Sequence, residues 1–210
     1  MINEIKLKIC GMREEENIRQ VAALDPDFMG FIFFEKSPRF VGGAFKIPKD
    51  LGGIKRVGVF VNESTDVIIQ KATDHRLDYA QLHGHETIEQ CQELKQHKIK
   101  IIKAFAVDDQ MNFPLTKPYR EACDFFLFDT KGKYFGGNAR TFNWSILTKY
   151  DQHVPFFLSG GIDPGNIKAV NELRGMNLHA VDVNSGVEIS PGVKSTEKIS
   201  RLKEILNSKR

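Results

Sequence analysis

The chain has 210 residues, of which 41% are hydrophobic and 27% charged, and 30 Lys and Arg against 27 Asp and Glu leave a formal charge of +3. This is the composition of a folded globular protein with room for one domain or two small ones, and it excludes an intrinsically disordered chain. So slight a surplus of cations, not gathered into a basic arm, speaks against a nucleic-acid or membrane-surface partner and leaves room for a small anionic substrate.

The opening stretch MINEIKLKICGM holds no apolar run long enough for a secretion signal, and no run of about 18 apolar residues follows it. Three cysteines, Cys10, Cys91 and Cys123, are an odd number without CxxC spacing. They argue against a disulfide framework and a thiolate zinc site, and for a reducing compartment, so a cytoplasmic protein is expected.

In chain order, the segments 6–12, 28–34, 54–61, 79–84, 100–107, 125–130, 155–161 and 179–186 read as eight β-strands. Their spacing of roughly 20–30 residues suits a strand followed by a crossover helix. Between them the segments mostly read as helices. Glu14–Leu24 places Ile18, Val21, Ala22 and Leu24 on one stripe, Asp163-Pro164 marks a helix start, and Ser195–Leu206 closes the chain. The second and sixth units are the weakest, broken by Gly42-Gly43 and Gly136-Gly137.

Eight such units predict a single-domain (β/α)8 barrel, with an open doubly wound sheet as the alternative. Strand parity favours the barrel. Leu7 and Ile9, Val57 and Val59, Leu82, Phe126 and Phe128, and Val181 and Val183 make one apolar face. The opposite face collects Lys8, Cys10, Gln81, His83, Asp129, Asp182 and Asn184. An open sheet covered by helices would be apolar on both faces. In a barrel the polar face lines the interior near the C-terminal mouth.

That mouth is where the chemistry of this fold is built. Ser159-Gly160-Gly161 and Asn184-Ser185-Gly186 end the seventh and eighth strands. They can bring backbone amides close to a phosphate, or they can simply turn the chain. Cys10 ends the first strand and reads as a base or nucleophile, or as a buried structural thiol. Asp129 ends an aromatic strand, where an acid among apolar neighbours holds its proton more firmly and can act as a general acid; the alternative is a loop cap. Arg39, after Ser37-Pro38, suits capture of a carboxylate, or is an ordinary loop arginine. His83 and His85 form an H-x-H pair with no third ligand at suitable spacing, so no metal is expected. There is no P-loop and no dinucleotide fingerprint.

Taken together, KICG (8–11), KSPR (36–39), QLHGHE (81–86), FLFDT (126–130), LSGGIDPGNI (158–167) and SGVEISPG (185–192) resemble the phosphoribosylanthranilate isomerase (TrpF) family of tryptophan biosynthesis over nearly the whole chain. The resemblance implies an Amadori rearrangement of N-(5-phosphoribosyl)anthranilate without a cofactor. It implies Cys10 as general base, Asp129 as general acid and Arg39 as the anchor of the anthranilate carboxylate. Gly160, Gly161, Ser185 and Gly186 would hold the phosphate, with His83 and Asp182 as further mouth-facing groups. A monomer or homodimer acting on a small molecule is expected. One departure is the loop after the sixth strand, where the family's Gly-Gly-Thr-Gly is Gly136-Gly137-Asn138-Ala139. The rivals are another phosphate-binding barrel enzyme of tryptophan or histidine biosynthesis, and a silent ligand-binding barrel. A synthase of the former kind needs a catalytic lysine with glutamates on inner strands. Lys8 and Lys103 read as interior, but no strand-end glutamate accompanies them in strands two to six.

Overall fold

The computed structural model describes residues 4–132 and 141–208. Eight parallel strands close into a barrel in sequence order. They are β1 (Lys6–Ile9), β2 (Phe28–Ile32), β3 (Lys55–Phe60), β4 (Tyr79–Leu82), β5 (Lys100–Val107), β6 (Phe125–Thr130), β7 (Phe156–Leu158) and β8 (Leu178–Val183). Closure is made by β1, which pairs with β2 through Lys8 and Phe28 and with β8 through Lys8 and Asp182. Two short antiparallel strands, β9 (Glu188–Ser190) and β10 (Val193–Lys194), form a hairpin just beyond β8.

Among the described residues four α-helices lie outside: α1 (Glu15–Ala22), α2 (Thr65–His75), α3 (Ile88–Gln96) and α4 (Thr196–Asn207). Each buries a short apolar stripe, Ile18 and Val21 in α1 and Ile199, Leu202 and Leu206 in α4. Ser64, Thr87 and Ser195 cap the last three through their hydroxyl oxygens, each accepting from an amide three residues on. Among the described residues no helix is long and apolar enough to cross a membrane.

The expectation that the segments between the strands are mostly helices is corrected at four places among the described residues. No helix follows β2. After β5, β6 and β7 come the 3₁₀ segments Phe113–Tyr119, Trp144–Lys149 and Ile167–Leu173. Asp163-Pro164 does not open an α-helix: Asp163 Oδ1 instead accepts from the amides of Gly165 and Asn166, at 2.6 and 3.1 Å. These segments of six or seven residues are too short to recover the cost of nucleating an α-helix. Pro118 further removes a donor inside the first of them.

Side chains alternate between two cores. Phe126, Phe128, Val181 and Val183 join the outer core under the helices. Phe28, Val57, Tyr79, Ile102, Leu127, Phe157 and Ala180 fill the lower interior of the barrel. Two readings of parity are corrected here. In β3 the valines point inward and Phe60 points out. Both faces of that strand are apolar, so alternation alone could not orient it. Lys103 points outward, since its neighbours Ile102 and Ala104 belong to the interior core. Its Nζ donates at 2.9 Å to both Glu86 Oε2 and the Gly84 carbonyl, tying the ends of β4 and β5 outside the barrel.

Candidate active site

At the C-terminal end of the barrel lies a cavity of about 570 Å³. All nine residues singled out in the sequence line it: Cys10, Arg39, His83, Asp129, Gly160, Gly161, Asp182, Ser185 and Gly186. They come from the ends of β1, β4, β6, β7 and β8 and from the loop after β2, so barrel closure is what gathers them. Asn138 and Ala139, the departure in the loop after β6, lie outside the described residues.

Cys10 follows β1 and is 4% exposed. It packs with Ile32 and Val59, with Phe34 against them. Gly30 in β2 makes room for it, since a Cβ there would come within 2.7 Å of the Cys10 sulfur. Burial pushes the Cys10 thiol above its usual range, while Lys8 and Lys194 pull it back down. The resting group is therefore a thiol whose ionisation depends on the two buried lysines beside it.

A polar floor crosses the barrel beneath the cavity. Lys8 Nζ donates to Asp182 Oδ2 at 2.9 Å and to Gln81 Oε1 at 2.8 Å. Gln81 Nε2 lies 2.8 Å from His83 Nδ1, and His83 Nε2 lies 3.2 Å from Asp129 Oδ2. The other oxygen of Asp129 accepts from the Thr130 amide at 2.9 Å. Asp129 thus sits in polar rather than apolar surroundings, contrary to the expectation from its aromatic strand. Burial would lower the Lys8 pKa, but Asp182 and Cys10 more than offset it and hold the ammonium above its usual range. The second oxygen of Asp182, Oδ1, is buried without a hydrogen-bond partner, and the residue is among those that line the cavity.

At the rim, Arg39 meets Glu188 with its planar fork, Nε to Oε1 at 2.8 Å and Nη2 to Oε2 at 2.7 Å. Glu188 also accepts from Lys194 Nζ at 2.6 Å and from the Gly192 amide at 2.9 Å. Burial would raise Glu188, but Arg39 and Lys194 together hold it down at about 2. Burial pulls Lys194 down to about 8, and Glu188 keeps it from falling further. Lys194 Nζ reaches Asn184 Oδ1 at 2.6 Å as well, fastening the end of β8. Glu188 and Lys194 were not singled out in the sequence. They sit in a hairpin too short for a periodic pattern, and their only signal is their place in the SGVEISPGVK run (185–194).

The two glycine turns are in contact. Gly160 and Gly161 take φ of +94° and +64°. A Cβ on Gly186 would strike the carbonyl oxygen of Ile162, so the turn after β8 packs directly on the backbone of the turn after β7. Of the H-x-H pair, His83 is inside and bonded as above, whereas His85 is exposed and its amide donates to Asn62 Oδ1 at 2.6 Å. Among the described residues no group of three His, Cys, Asp or Glu is placed to hold a metal ion.

A closed eight-stranded parallel barrel with ionisable side chains gathered at the C-terminal strand ends defines the (β/α)8 enzyme class. Residues 7–204 match the sequence model of the family described as N-(5'phosphoribosyl)anthranilate (PRA) isomerase, and the chain belongs to that family. It is 42% identical over 209 residues to the N-(5'-phosphoribosyl)anthranilate isomerase of Parabacteroides distasonis, covering 96% of this chain and 93% of that one. It superposes on the crystal structure of phosphoribosyl anthranilate isomerase from Thermotoga maritima with a TM-score of 0.82 at 32% identity, covering 96% and 98% of the two chains. A further solved isomerase, in complex with reduced 1-(o-carboxyphenylamino)-1-deoxyribulose 5-phosphate, matches with a TM-score of 0.79 at 31% identity, covering 96% and 98%.

Proposed function

We propose that the chain is one barrel domain, acting in the cytoplasm as an N-(5-phosphoribosyl)anthranilate isomerase of tryptophan biosynthesis. The observation that carries the reading is the pairing, across one cavity, of Cys10 on β1 with Asp129 on β6 in a member of this family. Two strands separate them one way round the barrel and four the other. A substrate lying between them presents opposite sides to acid and base.

The reaction is an internal redox that needs only proton transfers. Asp129 gives a proton to the furanose ring oxygen, the C1–O bond breaks, and the nitrogen lone pair forms a protonated imine. Cys10, as thiolate, takes the proton from C2. The electrons of that C–H bond form the C1–C2 double bond, and those of the C–N π bond return to nitrogen. The resulting enolamine tautomerises to the ketone at C2. C1 is reduced and C2 oxidised within one molecule, so the balance closes without a cofactor or metal. Asp182 and His83, which line the same cavity, are further polar groups for the sugar. Arg39 retains donors on Nη1 for the anthranilate carboxylate beyond the fork taken by Glu188. Gly160, Gly161, Ser185 and Gly186 form the phosphate cradle. Each group comes from one chain, so a monomer and a homodimer are equally competent.

Phosphoribosylanthranilate is fluorescent and its signal disappears on turnover. The purified protein should consume it without added metal or nucleotide, and no loss above the spontaneous rate would sink the assignment in favour of a silent barrel. Asp129→Asn should lower kcat by about 10²–10⁴-fold, the usual worth of a general acid. A near-wild-type Asp129→Asn enzyme would refute its role.

A further inference from the structure

The polar floor has a direction that follows from chemistry alone. Lys8 has three donors and no acceptor. Its Nζ lies 2.8 Å from one end of the Gln81 amide, so that end is the carbonyl oxygen. The other end, the NH₂ group, has only hydrogens to offer and lies 2.8 Å from His83 Nδ1. Nδ1 must therefore accept. A neutral imidazole carries its proton on one nitrogen and accepts with the other, so the proton sits on Nε2, 3.2 Å from Asp129 Oδ2. Donation runs one way, from Lys8 through Gln81 and His83 to Asp129. Lys8 and Gln81 are 0% and 1% exposed, so water does not compete for these bonds.

We infer that Gln81 is a positioning residue: by donating to Nδ1 it holds His83 as the Nε2–H tautomer and so keeps the Asp129 carboxyl oriented toward the cavity. The inference rests on the proposed role of Asp129 as the acid. A histidine beside a carboxylate can be held in more than one tautomeric or protonated form, and its other nitrogen's partner decides which. An imidazolium needs an acceptor at both nitrogens. Gln81 could offer one only by turning its oxygen to Nδ1, which would set its NH₂ group against the buried Lys8 ammonium, donor against donor. The Lys8–Asp182 pair, fixed across β1 and β8, thereby locks the amide. The Thr130 amide fixes Oδ1 of Asp129 and His83 fixes Oδ2, so the carboxyl is held at both oxygens.

Imidazole nitrogen-15 chemical shifts, assigned in isotopically labelled wild-type protein, read the tautomer directly. His83 should show a protonated Nε2 and a bare Nδ1 at neutral pH. In Gln81→Glu the new carboxylate can only accept, so Nδ1 should gain a proton. Its kcat should then fall by about tenfold or more while KM stays within about twofold, the split that separates the chemical step from binding. An Nδ1–H or doubly protonated His83 in the wild type would overturn the inference. So would a Gln81→Glu enzyme with a switched His83 and a wild-type kcat. The wild-type spectrum needs no variant, and stays decisive if Gln81→Glu does not fold. It also needs no turnover. A fully active Asp129→Asn enzyme would remove the acid assignment and leave the tautomer standing, whereas an Nδ1–H histidine would do the reverse.

Discussion

Arg39 already holds a carboxylate. Glu188 occupies one edge of its guanidinium with two short hydrogen bonds, and Lys194 completes the cluster from the other side of Glu188. A cation fixed in this way is a better receptor than a free loop arginine, because its orientation is set before the substrate arrives. A hydrogen bond to a charged group is worth about 1.5–3 kcal/mol. Arg39→Ala should therefore raise KM by about ten- to a hundredfold while changing kcat less, measured by the fluorescence assay. An unchanged KM would count against carboxylate capture. The residue itself was legible in the sequence from its place after Ser37-Pro38. Its partner Glu188 was not, because the two are 149 positions apart and no local pattern links them.

At the scale of elements, the two glycine turns after β7 and β8 act as one unit. Gly186 abuts the Ile162 carbonyl, so any side chain at 186 must push the turns apart. Gly186→Ala should weaken competitive inhibition by inorganic phosphate and raise KM, with the barrel still folded by circular dichroism. Inhibition by phosphate equal to that of the wild type would show that the turns do not form the anion site. The polarity of four strands, β1, β4, β6 and β8, was legible from period-two alternation. Strand β3 was not, because Val57 and Val59 on one face and Phe60 on the other are equally apolar. Lys103 was misplaced for a related reason. A charged residue in a strand suggests the polar interior, yet here it is buried outside by the Glu86 carboxylate and backbone carbonyls. The short 3₁₀ segments on the far side of the barrel carry apolar residues at helical spacing, but too few of them to hold an α-helix.

Across the whole molecule, the two ends of the barrel divide the work. The C-terminal end carries the polar cavity, and the N-terminal end is closed by aromatic rings. His179 packs among Phe125, Phe157 and Phe28 with ring centroids 4.4, 5.6 and 6.0 Å away. Lys6 and Lys100 lie over Phe28 and Tyr79 at 5.8 and 5.6 Å. Burial and then the nearby Lys6 hold His179 down at about 4, against 6.5 for a free histidine. Between those two values the unfolded chain binds a proton that the folded chain refuses, so stability rises with pH there and is lost as pH falls from 6.5 toward 4. His179→Phe keeps a ring in place and removes the titration. Its melting temperature should vary less with pH than the wild type's over that window. Equal slopes would show that His179 does not set the acid sensitivity.

The sequence by itself determined what is local: eight strands with their turns, the stripes of the helices, and the residue types at the strand ends. Those follow from alternation, helical spacing and the conformational range of glycine, all of which act over a few residues. Only the tertiary structure decided which charge meets which. Lys8 finds Asp182 across 174 positions and Gln81 across 73, and Lys194 is tied to Asn17 across 177. These pairings exist because the sheet closes on itself with β1 beside β8 in one register. Closure is a property of all eight strands together. No single stretch of the chain carries it, and it is closure that turns separate polar residues into a directed hydrogen-bonded floor.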